Sequence, residues 1–336
     1  MAQYTIYCPQ HSNAVPQQSP TYITELLTGE LKTELTNLGH NVNIVYINLY
    51  HDDTLLYIEQ LDINITLDGR IPDSLWFMLA NDETKKFVIM DLQDSPSISN
   101  ILNNLENCVM TFLGQCSLER CYVNNSDLDV TKILPFAYFP YYPKRVESYI
   151  QEVRDIRNSS QLDDRVFFLG NNRPSYRHNG QMIREVISIL EYKYPDEVRV
   201  GSWEKKLPAD EFWKAAATHT ISLGLPGHPW CSREHELWTL GLPVMLYEHT
   251  HHMMVDLIPN YHYVAVPVGK RLTIGMAKSP EVAADQIMKI HREWIKPRNR
   301  WRLNNIARHG QQRMLKEISV SAIIPKLITF MQLGNW

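Results

Sequence analysis

Residues 224–248 contain the side chains whose types and spacing are best suited to chemistry. Arg233 and Glu236 are three positions apart, so on a helix they share a face close to its positively polarised N-terminal end. A glutamate there can accept two hydrogen bonds from a ribose diol, and an arginine with loop amides can hold a diphosphate. The simpler alternative is an ion pair between Arg233 and Glu236 on a solvated helix face.

The surrounding sequence predicts the elements that would place this pair at a ligand-binding edge. An apolar strand at 220–225 leads into a loop that contains Gly227 and His228. The helix can begin at Ser232, whose hydroxyl can cap backbone amides, and it ends at a Gly-Leu-Pro turn. A further strand at 244–247 completes a crossover of the kind that binds nucleotides at the carboxyl edge of a parallel sheet.

The same alternation of strands and helices extends through both halves of the chain. In the first half, the predicted strands are 4–8, 42–47, 75–80, 87–90, 109–113 and 133–136. In the second half, they are 166–169, 198–201, 220–225, 244–247 and 263–268. Apolar strands of this kind are typical of parallel sheets covered on both faces, so we predict an α/β protein.

Residues 134–143 combine three prolines with five aromatic residues, so they cannot form a regular helix or a central strand. We interpret them as a stiff connection between two domains. An aromatic surface for a sugar or a membrane is the alternative.

Composition argues against several classes of protein. Lysine and arginine total 33 against 37 aspartates and glutamates, and the net charge of −4 argues against a nucleic-acid partner. No window approaches the roughly 18 apolar residues that a membrane-spanning helix needs. The five cysteines have no zinc-ligand spacing, which favours reduced thiols. We therefore expect a cytoplasmic protein without a membrane span.

The predicted helix and the turn after it also point to a known class of enzymes. The residues that carry this likeness are Ser232, Arg233, Glu236, Gly241, Pro243 and Val244. In this order they resemble the donor-binding segment of GT-B glycosyltransferases, in particular of the exostosin-like and CAP10-like families. The resemblance covers mainly residues 165–310 and implies two Rossmann-like domains facing a cleft. The implied ranges are 1–143 for an acceptor-binding domain, 144–316 for a nucleotide-sugar-binding domain and 317–336 for a terminal helix that crosses back to the first domain.

The resemblance also implies which residues bind the donor. Glu236 would bind the ribose, and Arg173 and Arg177 would hold the diphosphate, although solvation at the surface would also explain two arginines. Trp203 would lie near the base or, equally, in the core. The full set predicted to bind the nucleotide sugar is Arg173, Arg177, Trp203, Gly227, His228, Ser232, Arg233 and Glu236.

The resemblance also implies the stereochemistry of the reaction and where its catalytic base lies. Retaining members of the large class have two glutamates with seven residues between them, and this chain has His228 at the first position. That difference favours the inverting families, which need a base from the N-terminal domain. His11, just beyond the first strand, and Asp91, after the strand at 87–90, are the two candidates, with Asp94 as a further carboxylate. Each also fits a turn or a cap.

We therefore predict a metal-independent enzyme that transfers a sugar from a nucleoside diphosphate sugar to a hydroxyl acceptor, with inversion and without a cofactor. The histidines at 249–252, with Glu248 and Asp256, are spaced too tightly to favour a zinc site. A nucleotide-sugar epimerase on the same scaffold is one alternative. A non-catalytic binding protein is another, and a DNA-modifying glycosyltransferase is disfavoured by the acidic charge.

Overall fold

The structure of the protein, a computed structural model, falls into two compact units. It describes residues 3–10, 23–48, 63–66, 81, 86–91, 106–114, 129–137, 139–140, 143–169, 180–201, 207–225, 232–247, 252–267 and 279–333. Unit 1 comprises Met1–Tyr142, His251–Val255 and Ile318–Trp336, and unit 2 comprises Pro143–Thr250 and Asp256–Glu317.

Unit 1 is built on a six-stranded sheet in which every strand pair is parallel. Its strands are β1 (Gln3–Gln10), β2 (Asn41–Asn48), β3 (Ile63–Thr66), β4 (Lys86–Asp91), β5 (Cys108–Leu113) and β6 (Ile133–Pro135). Their order across the sheet is β2-β1-β3-β4-β5-β6. The first helix of the chain, α1 (Ile23–Asn37), connects β1 to β2.

The core of unit 1 has the composition that the sequence predicts for a covered parallel sheet. Ile6 and Tyr7 of β1 are buried in succession, as are the four residues 87–90 of β4. Helix α1 buries Leu27, Leu31 and Leu35, which are spaced four apart along one face. The last helix of the chain, residues Val320–Leu333, packs against α1.

Strand β3 is the part of this sheet that the sequence analysis missed. It lies between β1 and β4, and Ile63 and Ile65 alternate with polar residues over only four positions. The strand predicted at 75–80 lies outside the described residues.

Unit 2 contains a five-stranded parallel sheet with helices between its strands. The strands are β7 (Val166–Leu169), β8 (Val198–Gly201), β9 (Ser222–Gly224), β10 (Val244–Tyr247) and β11 (Val264–Val266). Its helices are α2 (Pro143–Ser148), α3 (Ile150–Ser159), α4 (Gly180–Lys193), α5 (Ala209–Ala217), α6 (Ser232–Thr239), α7 (Pro280–Trp294) and α8 (Arg300–Arg313). The last helix of the chain, Val320–Leu333, is α9 and belongs to unit 1. The strand order is β11-β10-β9-β7-β8.

Both sheets have the same doubly wound topology. In each, the second strand of the unit pairs with the first, the first pairs with the third, and later strands extend from the third. The strand order therefore reverses between β1 and β3 in unit 1 and between β7 and β9 in unit 2. Ligands of such sheets bind outside the carboxyl ends of the strands at this switch point. In the described part of the chain, no helix is long and apolar enough to cross a membrane.

Candidate functional site

The switch point of unit 2 coincides with the segments in which the sequence predicts donor-binding residues. Strand β7 ends at Leu169, and Arg173 and Arg177 follow it in the sequence. Strand β9 ends at Gly224, and Gly227 and His228 lie between it and α6 in the sequence. These four residues lie outside the described residues, so their positions stay predictions. Trp203, which follows β8, is also outside them.

Helix α6 lies close against the carboxyl end of β9. A Cβ atom at Gly224 would be 2.9 Å from Cγ of Glu234 and 2.9 Å from Cδ1 of Leu246. A larger residue at this position would therefore require the side chains of Glu234 and Leu246 to shift. This contact places the start of α6, including the backbone of Ser232, next to the switch point.

Glu236 lies on this helix with its side chain largely enclosed. The residue is 9% exposed, and its Oε2 accepts a hydrogen bond of 2.9 Å from the indole Nε1 of Trp213 on α5. A carboxylate has about four acceptor positions, and this bond takes one of them. The residue predicted to bind ribose is thus a carboxylate that the fold holds near the carboxyl edge.

Arg233 contacts Phe212, the residue of α5 that precedes Trp213. Its guanidinium lies 5.5 Å from the ring centroid of Phe212, a cation–π distance. Both Arg233 and Glu236 belong to the described residues, and no ion pair joins them there. The sequence-level alternative of an intrahelical ion pair is therefore wrong, because the two side chains turn to two aromatic partners on α5.

Phe212 and Trp213 are the residues at this site that the sequence analysis missed. In sequence, two adjacent aromatic residues fit an ordinary core. The sequence did offer one signal, the indole N–H of Trp213. A buried indole needs a hydrogen-bond acceptor, so a polar partner for Trp213 could have been expected.

The opposite edge of the same sheet carries a separate polar cluster. Asp163 precedes β7, and three hydrogen bonds from the Arg165 guanidinium lower its pKa to about 2. His219 precedes β9 and lies 3.4 Å from Asp163, and burial lowers the pKa of its imidazole. Parallel strands begin at this edge, so the cluster lies at the end of the sheet opposite the switch point.

In unit 1, one base candidate ends a strand of the sheet and the other follows a strand in the sequence. His11 comes directly after β1, which flanks the switch point, and it lies outside the described residues. Asp91 is the last residue of β4, where its backbone pairs with Leu113 of β5. Since β3 separates β1 from β4, the two strands are roughly 10 Å apart. Asp91 thus lies at the carboxyl edge of this sheet, and the roles of both candidates stay predictions.

Among the residues that the structure describes, no three histidine, cysteine or acidic side chains are grouped to hold a metal ion. Of the histidine-rich segment at 248–256, the described range begins at His252.

Comparison with known proteins finds similar folds but no similar sequence. No protein-family model matches the chain, and neither does any curated protein. A glycosyltransferase from Rickettsia africae aligns with 99% of this chain and 98% of its own, with 10% identity and a TM-score of 0.54. Sucrose-phosphate synthase from Thermosynechococcus elongatus covers 99% of both chains, with 10% identity and a TM-score of 0.53.

The catalytic domain of starch synthase IV from Arabidopsis thaliana, solved with ADP and acarbose, also covers 99% of both chains, with 9% identity and a TM-score of 0.55. These likenesses extend over the whole chain and include both parallel sheets. The protein therefore has the GT-B fold of two Rossmann-like units, as the sequence predicted.

Proposed function

We propose that the protein is a glycosyltransferase that moves a sugar from a nucleoside diphosphate sugar to a hydroxyl acceptor, with inversion. The observation that carries this proposal is the placement of Glu236, a largely enclosed carboxylate on the helix that follows β9 at the switch point of unit 2. The fold that the chain shares with three enzymes of sugar transfer supports it. A carboxylate at this edge suits a ribose diol.

In the proposed donor complex, the residues of unit 2 divide the nucleotide between them. Glu236 accepts hydrogen bonds from the ribose hydroxyls, and Trp203 lies near the base. Arg173 and Arg177 hold the diphosphate, whose negative charge increases as its bond to the sugar breaks. Gly227, His228, Ser232 and Arg233, from the loop and first turn of α6, contact the sugar-phosphate end. The arginines and the positive end of the helix stabilise the leaving group without a metal ion or cofactor.

The acceptor hydroxyl would lose its proton to a base from unit 1. His11 or Asp91 takes this proton as the hydroxyl oxygen attacks the anomeric carbon from the side opposite the diphosphate. The bond from oxygen to carbon forms as the bond from carbon to phosphate oxygen breaks, so the configuration inverts. The resemblance to exostosin-like and CAP10-like enzymes suggests a hexosyl or pentosyl donor and a glycan or another hydroxyl acceptor.

Calorimetric titration with UDP, ADP and GDP tests the donor half of this proposal. We expect at least one nucleotide to bind, and Glu236→Gln to weaken that binding by about 1–3 kcal/mol, since it replaces charge-assisted hydrogen bonds with neutral ones. The matched control is Glu197→Gln, which removes a carboxylate of unit 2 that pairs with Arg292 at the surface. Equal affinity of Glu236→Gln and the wild type would count against the ribose assignment.

Incubation of the wild type with nucleotide sugars separates transfer from its rivals. A transferase releases nucleoside diphosphate faster when an acceptor is present. An epimerase would convert the donor to its epimer without acceptor, which one NMR spectrum of the mixture would show. Binding of a donor with neither release nor epimerisation, over a broad panel of acceptors, would favour a non-catalytic binding protein.

A further inference from the structure

Two consecutive aromatic residues of α5 contact the two side chains of α6 that are predicted to bind the donor. Phe212 lies beneath the Arg233 guanidinium at 5.5 Å, and Trp213 donates its indole N–H to Glu236 at 2.9 Å. Twenty-three residues separate Trp213 from Glu236 in the sequence, so this contact depends on how α5 packs beside α6.

Trp213 is itself held from several sides. Its ring is fully buried, and the ring of Tyr149 meets it edge to face at a centroid distance of 5.2 Å. The Arg145 guanidinium lies 5.9 Å from the ring centroid and is paired with Asp210 at 3.4 Å. An indole enclosed in this way has one orientation, and so its N–H has one direction.

A fixed donor restricts the carboxylate that accepts from it. Glutamate has three rotatable side-chain bonds. If they are free before binding, the conformational entropy lost when a ligand fixes them reduces the binding free energy. A hydrogen bond from a neutral N–H to a carboxylate is charge-assisted and therefore stronger than one between neutral groups. The enclosure of Trp213 thus restricts the rotamers of Glu236 before any ligand binds.

We propose that Trp213 is a positioning residue for ribose recognition, one that holds the Glu236 carboxylate in the orientation that accepts from the ribose diol. This inference rests on the proposed function. It assigns Trp213 no contact with the nucleotide, so its effect on binding is exerted through Glu236 alone.

The first test compares two changes of a fully buried tryptophan to phenylalanine. Trp213→Phe keeps an aromatic ring and removes the N–H, and Trp238→Phe makes the same change on α6 against Tyr263. We expect Trp213→Phe to lower the affinity for UDP or ADP by about tenfold, the effect of one lost hydrogen bond, and Trp238→Phe to change it less than about twofold. Equal losses in both variants would mean a general packing effect and would overturn the proposal.

Nucleotides that lack the ribose diol test whether the effect of Trp213 is exerted through Glu236. For 2′,3′-dideoxy-UDP or 2′,3′-dideoxy-ADP, Trp213→Phe and the wild type should bind alike, because the group that Glu236 accepts from is absent. Likewise, Trp213→Phe should have no further effect in a Glu236→Gln background. A tenfold loss that persists with the dideoxy nucleotides would contradict a role through Glu236.

Indole NMR provides a measurement that does not depend on the folding of the Trp213 variant. In protein labelled with ¹⁵N-tryptophan, one indole N–H signal should move on Glu236→Gln, and the same signal should move when UDP or ADP binds to the wild type. It should move less with the dideoxy nucleotide. A signal sensitive to Glu236→Gln but unchanged by the ribonucleotide would overturn the proposal.

Failure of this inference and failure of the proposed function have different results. If the wild type binds none of UDP, ADP and GDP, the proposed function is wrong and the inference falls with it. If the wild type binds and Glu236→Gln weakens binding, but Trp213→Phe does not, the proposed function stands and the positioning role is wrong.

Discussion

At the scale of single residues, Arg157 shows how unit 2 accommodates a charge inside the fold. Its guanidinium donates to the carbonyl oxygens of His219 at 2.8 Å and Thr220 at 3.2 Å, in the segment that leads into β9. Burial lowers the pKa of Arg157 to about 10, so the side chain remains charged at neutral pH. The charge is tolerated because its N–H groups donate to carbonyl oxygens just before β9.

Arg157→Met should destabilise the protein by about 2–3 kcal/mol, because it leaves two buried carbonyl groups without their donor. Urea unfolding followed by circular dichroism measures the change. The control is Arg154→Met on the same helix, where the exposed guanidinium contacts only Gln151 among the described residues, and we expect a change within about 0.5 kcal/mol. Equal midpoints for the two variants would contradict this role of Arg157.

Two buried histidines give the stability a dependence on pH. Burial lowers the pKa of His262 and of His291 to about 4. In the unfolded chain a histidine has a pKa of about 6.5, so the unfolded state takes up protons between pH 6.5 and 4 while the folded state does not. The free energy of unfolding should therefore fall as the pH decreases through this range, by up to about 1.4 kcal/mol per pH unit for each histidine.

Unfolding in urea at pH 7.5, 6 and 5 checks this expectation. His291→Gln removes one titrating group, so its stability should decrease less steeply than that of the wild type between pH 6.5 and 5. Above pH 7 the two slopes should agree. The same slope for both proteins over the acidic range would show that His291 is not the source of the effect.

At the scale of elements, the approach of α8 to α6 depends on Gly310. A Cβ atom at Gly310 would lie 2.9 Å from the carbonyl oxygen of His262 and 3.2 Å from Cδ1 of Trp238 on α6. The first of these neighbours is backbone and cannot rotate away. Helix α6, which carries Glu236, thus packs closely against α8 at a position where only glycine fits.

Gly310→Ala should therefore destabilise the protein by about 1–3 kcal/mol, since the added methyl group forces α8 away from α6. The matched change is Gly29→Ala in α1, where a Cβ would meet nothing within 4 Å. It should raise stability by about 0.5–1 kcal/mol, because alanine loses less backbone freedom in a helix. Thermal unfolding of both variants measures the difference, and two shifts of the same sign would refute this role of Gly310.

The elements themselves were largely predictable from local pattern. The boundaries of β7, β8, β10 and α9 agree with the apolar runs in the sequence, because each run is bounded by polar or turn residues. Strand β3 was not predicted, since four residues that alternate with polar neighbours give too short a signal. Its place between β1 and β4 is a property of the sheet as a whole.

The candidate site, too, could be predicted only in part from local sequence pattern. The spacing of Arg233 and Glu236 identified a helix face that carries a charged pair near a ligand edge. Their partners, Phe212 and Trp213, come from another helix, and no periodicity relates the two segments. A local pattern therefore suggested an ion pair, and the packing of α5 beside α6 gave each side chain an aromatic partner instead.

At the scale of the whole molecule, the proposed reaction divides the work between the two units. In that proposal, unit 2 would bind the nucleotide and unit 1 would supply the base. Asp91→Asn and His11→Ala should therefore differ in their effects on transfer but agree in leaving nucleotide binding intact. We expect one of them to reduce the transfer rate by about 100-fold or more, the usual contribution of a general base.

Transfer rates and nucleotide affinities of the two variants, measured side by side, check this division. The wild-type rate in both variants would mean that the base is a different residue. Loss of nucleotide affinity in either variant would contradict the assignment of binding to unit 2.

A structure of the protein with the nucleoside diphosphate that binds most tightly tests the central claim directly. We predict that the diphosphate lies outside the carboxyl ends of β7 and β9, with a ribose hydroxyl within hydrogen-bonding distance of the Glu236 carboxylate. A nucleotide bound elsewhere, with Glu236 contacting only Trp213 and other protein groups, would contradict it.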